Sequence, residues 1–280
     1  NAIRIIAGAI SNNVALSRRA TKTFAQGSFR NRVNISTESD VDIGVVCNET
    51  FFETYPDGME RGDFGNIEGS DDFDTYKDEL EAALVDRFGA PAVSRGNKAF
   101  TVRSNSYRLE ADVVPLFEFR HYFTDRSYRA GVALVTDNER RRIENYPEIL
   151  FSDWPRTPLH YENAVQKNSH THQRFKAAVR IVKRLKAQIN SEDNQHNNIP
   201  GYLIECLIYN CPNPVFTSNN WYDRLINCLV HLDDKLATAR VEDLFEVDEI
   251  KYLFYYKQAW SQTEARAFIQ AAMARIQRAP

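Results

Sequence analysis

The sequence predicts an α+β protein of two lobes, a mixed sheet with helices over residues 1–158 and a helical lobe over residues 159–280. Three observations predict it. Apolar, β-branched runs separated by turn residues are confined to the first part, notably Val41 to Cys47, Ala99 to Arg103 and Tyr107 to Val114. The character changes at Pro155-Arg156-Thr157-Pro158, where prolines remove backbone donors. From there on apolar residues recur at helical spacing, over residues 170–190, 200–211, 220–236, 248–258 and 262–278.

Residues 1 to about 24 read as a helix, with Ile6, Ile10, Val14 and Leu16 along one side. A strand over residues 41–47 follows a small-residue turn at Gly27-Ser28. Glycines, acids and Pro56 make residues 53–72 an exposed loop. Phe73, Tyr76, Leu80, Ala83, Leu84 and Phe88 then recur at helical spacing until Gly89. Residues 99–103 and 107–114 flank Ser104-Asn105-Ser106 as a hairpin, with Pro115 ending its second strand. A short strand is expected between Tyr122 and Val135, and a last one over Arg142 to Tyr146, before Pro147. No internal repeat or low-complexity tract is visible.

The bulk numbers bound the function. With 280 residues, 43% of them hydrophobic, the chain has material for a large core in one or two domains. A formal net charge of −3 argues against a dedicated nucleic-acid coat, although local basic patches are compatible with it. Cys47, Cys206, Cys211 and Cys228 form no CxxC pair, and Cys206 and Cys211 lack the further ligands of a zinc site. They read as buried, reduced thiols of a cytoplasmic protein. No apolar stretch is long enough to span a bilayer, and Ala2 to Gly8, interrupted by Arg4, is a poor signal-peptide core. The chain begins at Asn1 within a helical pattern, so a native segment is expected to precede it.

The chemistry is concentrated in the acids. Asp40 and Asp42 lie two apart in a β-branched run, so on a strand both carboxylates leave the same face. Paired carboxylates repel unless a cation lies between them. Asp112 is a third carboxylate in an apolar strand, and Gly27-Ser28, separated from Asp40 by eleven residues, can offer backbone N–H groups and a hydroxyl to a phosphate. Together these parts suit metal-dependent nucleotidyl transfer, in which two Mg²⁺ ions about 3.5–4 Å apart hold the attacking and leaving oxygens. Asp112 also suits activation of the attacking hydroxyl, through the metal or as a base. The plainer alternative is a solvated Asp pair and an Asp112 satisfied by backbone.

On residues 170–190, Phe175, Ala178, Val179, Val182, Leu185 and Ile189 make an apolar face flanked by Lys176, Arg180 and Lys183. Such a stripe is usually a solvated face; opposite a metal-triphosphate site it would bind phosphate. Tyr202, after Ile199-Pro200-Gly201, is either core or a stacking platform. The histidines at 170 and 172 gather no third ligand, and no Walker-type loop or nucleophile triad is present.

Gln26-Gly27-Ser28-Phe29-Arg30-Asn31-Arg32 with Ser39-Asp40-Val41-Asp42-Ile43 resembles the signature of DNA polymerase β-like nucleotidyltransferases. More narrowly, the chain is similar to the bacterial cGAS/DncV-like nucleotidyltransferases (CD-NTases), closest to their E clade. Further matching segments include Asp112-Val113-Val114-Pro115, Ile143-Glu144-Asn145-Tyr146-Pro147, His160-Tyr161-Glu162-Asn163, Val179-Arg180-Ile181-Val182-Lys183 and Ile199-Pro200-Gly201-Tyr202. They fall within residues 20–210, and the last seventy residues match only as generic helices.

The resemblance implies a two-lobed polymerase β-like nucleotidyltransferase core with a C-terminal helical lobe and the active site in the cleft between them. It implies an enzyme joining ribonucleoside triphosphates (ATP, with UTP or GTP) into a cyclic di- or trinucleotide that signals in anti-phage defence to a separate effector. Asp40, Asp42 and Asp112 would carry two Mg²⁺, with Mn²⁺ as an alternative ion, and Gln26, Gly27 and Ser28 would meet the donor phosphates. Lys183 would hold the triphosphate and Tyr202 would stack on a base. Asn145 stands where relatives place a base-selecting residue, and its amide suits a pyrimidine edge and a uridine-containing product; a turn role before Tyr146-Pro147 is the alternative. Two departures stand out. Gly201 replaces a serine that contacts the donor phosphate in many relatives, leaving only a backbone N–H, and Ile149 to Thr157 is an extra stretch. The Cys/His zinc insertion of the animal DNA sensor is absent, so activation by double-stranded DNA is not expected. The chain is expected to act as a monomer.

Overall fold

The computed structural model describes residues 2–35, 40–69, 72–103, 110–146, 160–193, 196, 198–238, 240–255 and 258–278. The expected turn at Ser104-Asn105-Ser106, the Ile149 to Thr157 stretch and the composition break at Pro155 to Pro158 lie outside the described residues. The fold is α+β. The chain divides into two compact units, Asn1–Phe29 with Glu38–Thr157, and Arg30–Thr37 with Pro158–Pro280. The sequence expectation keeps all of residues 1–158 in one lobe, whereas the segment from Arg30 to Thr37 groups with the second unit. Its backbone is held there, because Arg180 donates to the Arg32 carbonyl at 2.7 Å and Lys183 to the Val33 carbonyl at 3.2 Å.

In the first unit, β1 (Thr21–Ala25), β2 (Val41–Thr54), β3 (Val93–Arg95), β4 (Phe100–Val102), β5 (Ala111–Tyr122), β6 (Tyr128–Val135) and β7 (Arg142–Asn145) form a seven-stranded sheet. Its order is β1-β2-β5-β4-β3, with β6 pairing β5 and β7 pairing β6. The central pair β2–β5 is parallel and every other pair is antiparallel. The helices α1 (Ala2–Asn12) and α3 (Phe73–Phe88) bury Ile6, Ile10, Tyr76, Leu80 and Leu84 against Ile43, Val45, Phe100 and Val113. Asp72 caps α3 by accepting from the Thr75 N–H, and Gly89 ends it at φ +84°.

Three sequence expectations change here. The helix expected to residue 24 stops at Asn12, because the Asn13 side chain accepts from the N–H groups of Ala15 and Leu16 and turns the chain into β1. Val14 is accordingly exposed. β2 runs to Thr54, resuming its pairing with β5 at Phe51 after an irregularity. Finally, Pro115 does not end its strand. On one edge β5 pairs with β4 as far as Val113 and with β6 from Phe117, so Pro115 sits where that edge changes partner and no ladder bond requires a donor.

Behind the sheet edge a buried ion pair ties α3 to the β6–β7 turn. Lys77 is fully buried, and its ammonium donates to Asp137 at 2.7 Å. Arg95 reaches the other Asp137 oxygen at 2.9 Å and also binds Asp78 and Glu81. Burial pushes the Asp137 carboxyl up, but the hydrogen bonds from Arg95 and Lys77 outweigh it and hold the group below its ordinary value.

The second unit consists of α4 (His160–His170), α5 (Arg174–Asp193), α6 (Gly201–Tyr209), α7 (Trp221–Thr238) and α8 (Gln262–Gln277) around one core. Phe175, Val179, Val182, Leu203, Leu229, Phe268 and Ile269 lie at its centre. α4 is unforeseen because it buries only Asn163 and Ala164, leaving no apolar stripe to read. The helix expected over residues 248–258 is absent from the described part of that span. Glu249 takes φ +58°, Asp248 accepts from the N–H groups of Ile250 and Lys251, and Tyr252 bridges to Phe245. All four cysteines are buried and free. No helix among the described residues is long and apolar enough to cross a membrane.

Candidate active site

The register of the parallel pair sets Asp42 directly beside Asp112. Side chains paired across a ladder share a face, here the face opposite buried Ile43 and Val113. Thr101, facing Asp112 from β4, donates its hydroxyl to Asp112 Oδ1 at 2.7 Å and fixes that carboxylate. Thr101 was not singled out by sequence reasoning; the signal for it is a hydroxyl residue on the strand paired with Asp112.

The turn into α2 (Gly27–Asn31) closes on the neighbouring Asp42. The Gln26 N–H donates to the Asp42 carbonyl at 2.9 Å. Gly27 takes φ +69°, and a Cβ there would lie 1.8 Å from Asp42 Oδ2. Only glycine lets the turn come this near, and Ser28 follows, half-buried. Gly27→Ala is expected to cost about 1–2 kcal/mol through the left-handed backbone alone. By pushing Asp42 aside it should also slow turnover about 10²-fold, read from a thermal melt and a single-turnover assay.

Asp40 stands exposed just before β2. Desolvation, then the charges of Asp112 and Glu110, push its carboxyl above the ordinary value. Among the described residues no three His, Cys, Asp or Glu side chains gather into a cluster that alone would hold a metal ion. The structure thus pairs Asp42 with Asp112 and leaves Asp40 beside them within range of repulsion. This donor set fits magnesium, which takes one or two carboxylates and completes its shell with substrate phosphates and water.

In the second unit the basic stripe of α5 is covered rather than solvated. Lys176 and Lys183 are buried, while Arg180 and Lys183 hold the carbonyls of Arg32 and Val33. Arg30 stacks on the Tyr161 ring, with its guanidinium carbon 3.8 Å from the centroid. Burial, with help from Arg32, Arg30 and Arg180 and against the pull of Glu205, lowers the Lys176 ammonium below its ordinary range. Such crowded cations around the segment that leaves the Gly27-Ser28 turn suit a polyanionic ligand.

Residues 162–277 match the family described as the cGAS/DncV-like nucleotidyltransferase C-terminal helical domain. Over 99% of its length the chain is 36% identical to a cyclic dipyrimidine nucleotide synthase CdnE of Legionella pneumophila, covering 91% of that protein. The chain belongs to the cGAS/DncV-like nucleotidyltransferases. The cyclic dipyrimidine nucleotide synthase CdnE of Cecembia lonarensis is 33% identical over 96% of this chain and 88% of its own. Among solved structures, the Rhodothermus marinus CdnE c-UMP-AMP synthase with Apcpp and Upnpp superposes with a TM-score of 0.82. That match is 27% identical and covers 97% of this chain and 88% of the other.

The remaining expected site residues of this CD-NTase fall in both units, Asn145 in the first and Gly201 and Tyr202 in the second. Asn145 is exposed at the end of β7, opposite Val132, which in turn pairs with Glu118, six residues beyond Asp112 along β5. It is not a neighbour of the acids in the sheet. Gly201 opens α6, and a Cβ there would meet Lys183 Cε at 3.2 Å, so the lysine stem fills the space that a serine would take. Tyr202 is built into a polar network. Its ring stacks on His160 with centroids 5.5 Å apart, and its hydroxyl donates to buried Glu246 at 2.7 Å. His160 in turn sits 2.9 Å from buried Glu205. Trp260 tilts against the same ring, with centroids 6.1 Å apart, so the helical unit itself engages Tyr202 from more than one side.

Proposed function

We propose that this CD-NTase condenses ribonucleoside triphosphates into a cyclic di- or trinucleotide, with magnesium as cofactor and manganese as a substitute. The observation that carries the reading is the pairing of Asp42 with Asp112 under the Gly27 turn. Asp40, Asp42 and Asp112 would hold two metal ions, which when bound would neutralise charge on the entering and leaving oxygens. Gln26 and Ser28 place donors for the donor phosphates, and Lys183 supplies a cation for the triphosphate. Tyr202, engaged by Glu246 and His160, chiefly shapes the wall of the helical unit. UTP is the favoured substrate, because two relatives are named cyclic dipyrimidine nucleotide synthases and a third a c-UMP-AMP synthase, and ATP joins it on the last name alone. The soluble product would activate a separate effector in anti-phage defence.

Incubation with four labelled triphosphates and Mg²⁺ tests this. The expected result is a phosphatase-resistant product from wild type and none from the Asp40→Ala, Asp42→Ala double variant. A phosphatase-sensitive product would mean a linear oligonucleotide, label on protein a protein-modifying activity, and binding without pyrophosphate release a regulator without turnover. Asn145→Ala is expected to lower the pyrimidine-to-purine ratio of the product about tenfold, the worth of a lost hydrogen bond. Mass spectrometry of the products reads this ratio.

A further inference from the structure

The polar face of the sheet continues one strand beyond the acids. Thr101 on β4 stands in register with Asp112 on β5, which stands in register with Asp42 on β2. Residues paired across a ladder share a face, so a hydroxyl and two carboxylates form one row. Their sequence neighbours Phe100, Val102, Val113 and Ile43 are fully buried on the opposite face.

The two carboxylates of the row are oriented by different means. Asp42 Oδ2 lies against the Gly27 turn, where a Cβ would come within 1.8 Å of it. For Asp112, the Thr101 hydroxyl is the one group among the described residues that hydrogen-bonds the carboxylate, at 2.7 Å on Oδ1. The hydroxyl in turn has no other acceptor among those residues. An aspartate carboxylate turns easily, because its last torsion has a broad, two-fold profile. Thr101 is a firm anchor against that motion. Its β-branched side chain has a restricted χ1, and the strand that carries it is pinned by buried Phe100 and Val102. With Oδ1 engaged, Oδ2 is the oxygen left whole for a cation. Magnesium demands near-ideal octahedral geometry, so a carboxylate that swings binds it less well.

We propose that Thr101 is a positioning residue, whose hydroxyl holds the Asp112 carboxylate in the orientation that takes a divalent cation. The inference rests on the reading of Asp42 and Asp112 as metal ligands, and adds to it a residue that acts at one remove.

The test compares Thr101→Val, which keeps the branched shape without the hydroxyl, with Thr101→Ser, which keeps the hydroxyl. Mn²⁺ binding to the nucleotide-free protein is followed by the electron paramagnetic resonance of the free ion, beside a thermal melt of each sample. Thr101→Val is expected to bind Mn²⁺ about tenfold or more weakly than wild type, as is usual when the partner of a metal ligand is removed. The Mg²⁺ concentration for half-maximal product formation should rise by a similar factor. Thr101→Ser should restore both, and all three proteins should melt within about 3 °C of one another. Wild-type Mn²⁺ affinity in Thr101→Val overturns the inference, whether or not the melt is lowered. So does an equal loss of affinity in Thr101→Ser. Where the valine variant does not fold, Thr101→Ala takes its place against the same serine control. Mn²⁺ binding that Asp112→Asn leaves unchanged strikes the metal reading itself, and the inference with it. A loss in Asp112→Asn beside normal binding in Thr101→Val strikes the role of Thr101 alone.

Discussion

Asp42→Asn is expected to reduce product formation by about 10³-fold or more while leaving the melting temperature unchanged or raised. The amide keeps the shape of the side chain but removes the charge that a divalent cation needs. The same change relieves the crowding of acids on one face of the sheet. Asp112 stands in register beside Asp42, and Asp40 already has its carboxyl pushed up by desolvation and by the charges of Asp112 and Glu110. Activity and stability should therefore move in opposite directions, which a folding defect would not produce. Product yield with a thermal melt on the same sample reads both. Turnover within tenfold of wild type would remove Asp42 from the metal site.

The second large effect is structural. Asp137→Ala is expected to destabilise the protein by about 3 kcal/mol, because it strands a buried ammonium at Lys77. The figure takes the low end of the range for a broken buried pair, since the Asp137 side chain is itself 25% exposed. For a chain of this size the melting temperature should drop by roughly 6–10 °C. Lys77→Met should cost far less, since it removes the buried charge and leaves Asp137 paired with Arg95. Acid acts through the same group. The folded carboxyl of Asp137 lies below its ordinary value of 3.8, so its contribution is full above that pH and is lost as pH falls through the lowered folded value. In Asp137→Ala this share of the acid loss should disappear.

Much of the candidate site was legible because its signals are local. Asp42 announces itself through the two-residue period of a strand, which Asp40 precedes by one residue, and α3 through its apolar spacing between Asp72 and Gly89. What sequence could not show depends on partners far along the chain. The pairing of Asp42 with Asp112, seventy residues apart, is a property of the β2–β5 register. Lys176 and Lys183 look like a solvated stripe until the segment after the Gly27-Ser28 turn is laid over them. Tyr202 has an aromatic identity that suits stacking, but its engagement comes from Glu246, forty-four residues on. Residues 248–258 misled for the opposite reason. Ile250, Leu253 and Phe254 sit at helical intervals, yet Asp248 and the left-handed Glu249 turn the backbone first.

The change of partner along β5 at Pro115 has a consequence for how such a chain can diverge. The part of β5 before the proline is locked to β4 and carries Asp112, while the part after it is shared with the β6–β7 hairpin that ends in Asn145. Substitutions in the hairpin reach the acids through β5 and through the apolar core that Val132 and Leu134 share with Ile43 and Val113. The exposed hairpin end at Asn145 can thus vary without a change in the ladder that sets Asp42 beside Asp112.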